Sequence, residues 1–420
     1  QEGRGDEALR GLYALDGSDA SLEKGRERAV RVVRAFEAEF GARPEAALFS
    51  GPGRTEIGGN HTDHQHGRVL CGSVDLDMLA CAAPNGTDLV RIQSEGYPAL
   101  EVDLRDLKVR EEEKNSSPAL VRGVAARLAE LGCRPAGFDA YVTSTVLSGS
   151  GLSSSAAYEI LVATIIDCFF GGGTLDPVER AKVGQYAENV YFGKPCGLMD
   201  QMGSSVGGAV AIDFADPAAP VVKKVEYDFT RSGHALCIVD TGSCHADLTD
   251  DYADITREMG AVAAHFGKKF LRDVDEGAFR AALPQLRQEC GDRAVLRTMH
   301  FFEEDCRAEQ EAQALEQGDF AAFLALVDQS GLSSALNLQN TWSAAAPQQQ
   351  AIPVALAVGR ELLGGSGAIR VHGGGFAGTI QAFVPNEKLE TFQQGMEELL
   401  GPGMCHILHI RPQGGCVVLK

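Results

Sequence analysis

The sequence contains no C-x-x-C pair, no Walker phosphate loop and no uninterrupted apolar run of the roughly 18 residues that span a bilayer. Each absence excludes a class of protein. The eleven cysteines are scattered, which fits a reducing compartment and argues against a disulfide framework or a zinc knuckle. The longest apolar stretch, ILVATII followed by DCFF, is broken by Asp167 and reads as a buried helix. The first residues are too polar for a secretory h-region, so a cytoplasmic protein is expected. Positive charge is in short supply: 38 Lys and Arg stand against 58 Asp and Glu, a net charge of −20. Such a surplus repels polyanions, so neither a nucleic-acid nor a membrane partner is expected. Any phosphate ligand must be held by a local field of helix N-termini, metal or arginine.

What is present is a chain of 420 residues, 44% hydrophobic and 23% charged, enough for two or three domains with a sizeable core. EKGRERAVRVVRAFEAEFG carries the 3.6-residue rhythm of an amphipathic helix. AALFS reads as a strand entering a Gly-Pro-Gly-Arg loop. RVLCGSVDLDMLACAAPNGTDLVRIQSEG reads as strands with a hairpin turn at Asn85-Gly86. A strand in GFDAYVTSTVLSGSG runs into a glycine-serine turn, and an apolar helix follows. Helices dominate from Tyr252 to about Leu336, and strands around a glycine loop close the chain. Without clean β-α-β alternation, the expected class is α+β in two lobes, residues 20–205 and 206–420.

The glycine-serine turn LSGSGLSSSAA carries the first chemistry. Gly149 and Gly151 permit tight turns, and Ser153, Ser154 and Ser155 fall where a helix begins. Unpaired N–H groups and the positive dipole end make that position an anion site. A plain N-cap needs only one serine, so this loop reads as phosphate-binding. A dinucleotide fingerprint would need glycine in place of Ser154, and it is absent.

GSGLSSSAA resembles the central phosphate loop of the GHMP small-molecule kinases. PGRTEIGGNHTDHQHG is similar to the galactokinase signature of that family, AENVYFGKPCGLMDQ to the segment with the catalytic aspartate, and HGGGFAGT to the third, glycine-rich motif. The four lie in family order from about Pro52 to Thr379. The resemblance implies a two-lobed fold with the active site between the lobes, and an ATP-dependent sugar-1-kinase, most simply for galactose, acting as a monomer. It implies Asp200 as the base at the anomeric hydroxyl and Arg54 beside it. Asn60, His61, Asp63, Gly197 and Tyr252 fall at sugar-binding positions. Gly149, Ser150, Gly151, Leu152, Ser153, Ser154 and Ser155, with Gly374 and Gly375, fall at ATP-binding ones, and Ser155 and Glu188 at the Mg²⁺ pair. His245 also keeps family spacing.

The stretch GRTEIGGN reads as a mobile loop, which argues against a rigid metal cage from His61, Asp63, His64 and His66. There are departures from the family pattern. Asn60 stands where galactokinases have Glu at the C6 end of the sugar, and Glu56 where they usually have Asn; His64 replaces Tyr and Cys244 a basic residue. Loss of the position-60 carboxylate raises a second reading, a kinase for a hexuronic acid such as galacturonate. A third reading, a non-catalytic sugar and ATP sensor, is the weakest because Asp200 and the serine loop are intact.

Overall fold

The computed structural model describes residues 5–146, 151–243 and 248–420. Among them an eight-stranded sheet is built from β1 (Ala47–Gly58), β2 (Arg68–Pro84), β3 (Leu89–Ser94), β4 (Leu100–Asp103), β5 (Phe138–Ser144), β6 (Ala209–Asp213), β7 (Val221–Val225) and β12 (Cys416–Leu419). Its main order is β12-β1-β2-β5-β3-β4, with β6 paired to the start of β2 and β7 beyond it. A four-stranded antiparallel sheet joins β8 (His234–Asp240), β9 (Ala368–His372), β10 (Thr379–Pro385) and β11 (Cys405–Leu408) in the order β11-β8-β10-β9.

Helices α1 (Asp6–Tyr13) and α2 (Asp19–Phe40) cover one face of the large sheet through Leu12, Val32 and Phe36. Helices α3 (Ser117–Glu130), α4 (Ser154–Ile166), α5 (Pro177–Tyr186) and α6 (Met199–Val206) cover the other, where Leu161, Ile165 and Val124 meet Phe49 and Phe138. In the C-terminal half, α7 (Thr249–His265), α8 (Glu276–Ala281), α9 (Leu283–Glu289) and α10 (Asp292–Glu316) share a core around Met259, Phe279 and Phe301. There α11 (Phe320–Ser333) lies on α10 and β9, while α12 (Ala351–Leu363) and α13 (Leu389–Leu400) bury Leu356 and Phe392 against the small sheet. The stretch Ser154–Gly171 is long and apolar enough to cross a membrane, with a mean hydropathy of 1.3, but 67% of it is buried inside the protein. Its lack of a polar face is that of a core helix.

Three expectations need correction. Asn85-Gly86 does not close a hairpin, because β5 lies between β2 and β3 and pairs with both. The turn residues are real, but Asn85 donates to Asp139 Oδ1 of β5 at 2.8 Å and so serves a different strand. The GPGRTEIGG stretch is no mobile loop: β1 continues through it to Gly58, and every residue from Ala47 to Asn60 is buried. Glycine is what allows this. A Cβ on Gly51 would strike the Ala157 carbonyl and come within 2.9 Å of Leu161 Cβ, so only glycine lets α4 lie so close over β1. Third, a division at residue 205 does not follow the sheets, since β6, β7 and β12 all complete the first one. The pairing that decides this spans hundreds of residues and leaves no local signal.

Candidate active site

The close approach of α4 to β1 sets the start of α4 beside Arg54. The Arg54 backbone N–H donates to Leu152 O at 3.1 Å, and its guanidinium Nη1 donates to Gly151 O. The same guanidinium holds Asp200, in the first turn of α6, through Nε at 2.8 Å and Nη2 at 2.7 Å, both to Oδ1. The other carboxylate oxygen, Oδ2, accepts from Ser153 Oγ at 2.8 Å. Ser153 occupies the N-cap position of α4 yet makes no capping bond, having φ 55°. Its hydroxyl is given to Asp200 instead, which excludes the bland capping role. Burial would push the Asp200 carboxyl up, but the Arg54 charge and the bonds from Ser153 and Arg54 bring it below the usual aspartate range. The carboxylate is therefore ionised at neutral pH, and its side chain keeps 30% of its surface open to a ligand.

On the same helix start, Ser155 Oγ lies 3.2 Å from Glu188 Oε1. Glu188 is buried, not a solvated helix face; it sits in the π-helical turn Ala187–Phe192 that continues α5. Its second oxygen accepts from Gln201 Nε2 at 2.8 Å, and Lys194 Nζ approaches the first at 3.4 Å. Gln201 also donates to Glu159 Oε2 at 3.0 Å, so one amide ties the two acids together. A hydroxyl and a carboxylate side by side are the hard-oxygen donor set that suits Mg²⁺ shared with phosphates.

The second half of the site starts where β1 ends. Asp63 opens a short 3-10 turn, and a Cβ on Gly197 would come within 2.7 Å of its Oδ2, so Gly197 packs directly on the carboxylate. His61 Nε2 donates to Gly374 O at 2.8 Å; Tyr252 OH donates to Gly375 O at 2.9 Å, and the two rings stack with centroids 6.4 Å apart. Burial pushes the His61 imidazole down to about 4. With Nε2–H committed as a donor, Nδ1 of the neutral ring is the acceptor. A cavity of about 200 Å³ lined by Asp63, His64, His66, Cys196, Gly197 and Phe214 opens beside the carboxylate. His66 stacks on Phe270 at 3.6 Å, and the exposed His64 ring lies 6.2 Å from that of His61.

Asn60 is fully buried and does not line this cavity. Its amide donates to Glu56 Oε1 at 2.8 Å and Gly373 O at 2.7 Å, and Asn340 donates to its Oδ1 at 2.8 Å. With every polar atom engaged, it has nothing to offer a sugar's C6 end, and the motive for a hexuronic acid falls away. Of the remaining positions, Gly151, Leu152 and Ser154 lie at the helix start as expected, whereas Gly149, Ser150, Cys244 and His245 fall outside the described residues.

The sequence reading missed His372, Gln201, Glu159, Arg370 and Asn340. Gln201 adjoins Asp200 in a segment already singled out and was the easiest to find. His372 is buried with Nε2 3.1 Å from Thr55 Oγ1 and Nδ1 2.9 Å from Thr379 Oγ1, and a Cβ on Gly151 would lie 3.1 Å from that Nδ1.

Comparison with known proteins fits this geometry. The galactokinase galactose-binding signature matches residues 34–84, and the GHMP kinases N-terminal domain matches residues 119–208. A galactokinase of Streptomyces coelicolor is 31% identical over 363 residues, 86% of this chain and 90% of that protein. The chain belongs to the galactokinase family of GHMP kinases. The Lactococcus lactis galactokinase complexed with galactose shares the fold with a TM-score of 0.77 at 23% identity, covering 92% of this chain and 99% of that one. The mevalonate kinase of Methanococcus jannaschii aligns with a TM-score of 0.61 at 14% identity, over 88% and 99%. This galactokinase-family chain is thus a sugar kinase with the two-lobed GHMP fold, in a family that uses ATP as co-substrate.

Proposed function

We propose that the protein transfers the γ-phosphoryl group of ATP to the C1 hydroxyl of galactose, with Asp200 as the group that receives or orients the hydroxyl proton. The observation that carries this reading is the bond from Ser153 to Asp200, which joins the start of α4 to the acid at 2.8 Å. A carboxylate held below its usual range is a weak base. It takes the proton late, as the new O–P bond forms, so positioning and charge neutralisation supply most of the acceleration. Arg54 keeps Asp200 ionised and aimed, and adds positive charge beside the transferring group. Ser155 and Glu188 would hold Mg²⁺, which when bound neutralises the phosphate oxygens of ATP. Asp63 offers two acceptor oxygens, and neutral His61 an acceptor nitrogen, to the sugar hydroxyls.

The test is an ADP-release assay over a panel of free hexoses and hexuronic acids, with phosphorus NMR of the product. Galactose is expected to be turned over to a 1-phosphate, with galacturonate inert. ADP release that no sugar raises above the sugar-free rate overturns the proposal.

A further inference from the structure

The loop between β9 and β10, residues 373–378, touches both halves of the site. At its base, His372 Nδ1 and Thr379 Oγ1 pack on Gly151, where an added Cβ would come within 3.1 and 3.3 Å of them. At its tip, three successive glycine carbonyls are held by side chains of the sugar half. Asn60 donates to Gly373 O, His61 and Asn340 (3.1 Å) to Gly374 O, and Tyr252 to Gly375 O. Gly373 and Gly375 have φ of 65° and 79°, so the turn that presents these carbonyls depends on glycine.

The four tethers differ in kind. Asn60 and Asn340 are fully buried and bonded to each other. The backbone of Asn60 is fixed as well: its N–H donates to Glu304 Oε1 at 3.3 Å, and its carbonyl accepts from His300 Nε2 at 2.9 Å. His61 and Tyr252 are only half-buried and stand at the positions read as sugar contacts. The asparagine pair is an anchor, and the other two are releasable.

This also accounts for the exchange of side chains at positions 56 and 60. Position 60 needs two N–H donors, one for Glu56 and one for Gly373, plus an acceptor for Asn340; an amide supplies all three and a carboxylate cannot. The acid stands at 56, where Arg370 pairs with it at 2.5 Å.

We propose that Asn60 and Asn340 are positioning residues for the 373–378 loop, and that the loop couples sugar binding to nucleotide binding. A sugar that engages His61 and Tyr252 frees Gly374 and Gly375 while the asparagines keep the loop in register over Gly151. A nucleotide that draws the loop toward the phosphates breaks the same two bonds first. Each ligand then meets part of its cost already met, and the coupling is positive and reciprocal. This rests on the reading of His61 and Tyr252 as sugar contacts.

Calorimetric titration of galactose into the full-length protein, alone and saturated with a non-hydrolysable ATP analogue and Mg²⁺, tests it. Wild type is expected to bind galactose at least fivefold more tightly with the analogue, the lower end of typical couplings. In Tyr252→Phe, analogue affinity without sugar should rise and the coupling factor shrink. In Asn340→Ala, galactose affinity should no longer respond to the analogue. Asn340→Leu guards against misfolding, since it keeps the side-chain shape without a donor to Gly374 and without a buried charge, and its coupling should fall likewise. Galactose binding with the same coupling factor in wild type and all three variants, or with no coupling in wild type, overturns the proposal alone. No galactose binding by wild type overturns the galactose reading and the coupling with it.

Discussion

The two halves of the site are built from different forces. Around Asp200, formal charges meet at close range: Arg54 on one oxygen, with Glu188 and Lys194 nearby on the adjoining turn. Around Gly373–Gly375, hydrogen bonds from uncharged side chains end on main-chain carbonyls, and the one imidazole involved is held neutral. The contrast follows the chemistry of the ligands. A transferring phosphoryl group carries dense negative charge, which fixed charges stabilise strongly in a water-poor cleft. A sugar presents hydroxyls that both donate and accept, and on the proposed reading neutral His61 and the single carboxylate of Asp63 match these without a dense cluster of charge.

The comparison can be broken from the charged side first. Asp200→Asn should lower kcat on the order of 10²- to 10⁴-fold, the usual range for a general base, and also lower thermal stability, because buried Arg54 loses its partner; steady-state kinetics at a temperature where the variant is folded decides it. The neutral side is broken by charging it. Asn60→Glu would set a carboxylate among Glu56 and Glu304 with no donor left for Gly373, and an unpaired buried charge costs about 3–5 kcal/mol. The expected result is a steep loss of thermal stability rather than a change in sugar preference, read by denaturant unfolding alongside the sugar panel.

Asp63→Asn sharpens the comparison. It keeps the shape and removes a charged acceptor, worth about 1.5–3 kcal/mol per bond, so KM for galactose should rise roughly ten- to a hundredfold with KM for ATP unchanged. The smallest effect concerns pH. Asp200 has a depressed folded value, so wild type should keep its activity down to pH values below the ordinary aspartate range of about 3.9, provided the fold survives. Arg54→Lys keeps the charge but loses the forked bonds that help to depress it, so the acid limb of kcat should move to higher pH. An unmoved limb would show that Arg54 does not set the carboxylate's titration.

Legibility of these halves in the sequence was unequal. The helix start at Ser154 could be read because its signal is contiguous: two glycines and four serines lie within seven residues. The same holds for Asp200 in its short segment. Asn60 could not be read correctly, because its neighbours along the chain point toward a sugar while its partners, Asn340 and Gly373, lie about 300 residues away. The GPGR stretch failed for a related reason. Glycine and proline signal a turn locally, and only the helix lying across β1 turns that glycine into a packing device within a strand.

Composition and contiguous motifs alone determined that the chain folds with a large core, where the helix after the glycine-serine turn begins, and which acid stands in the segment after it, since those depend on residues within a few positions of one another. Tertiary structure alone decided which polar groups face a ligand and which are used up inside. Exposure and hydrogen-bond partners are set by elements distant in sequence, and a buried amide with all its bonds made is chemically silent toward a substrate whatever motif contains it.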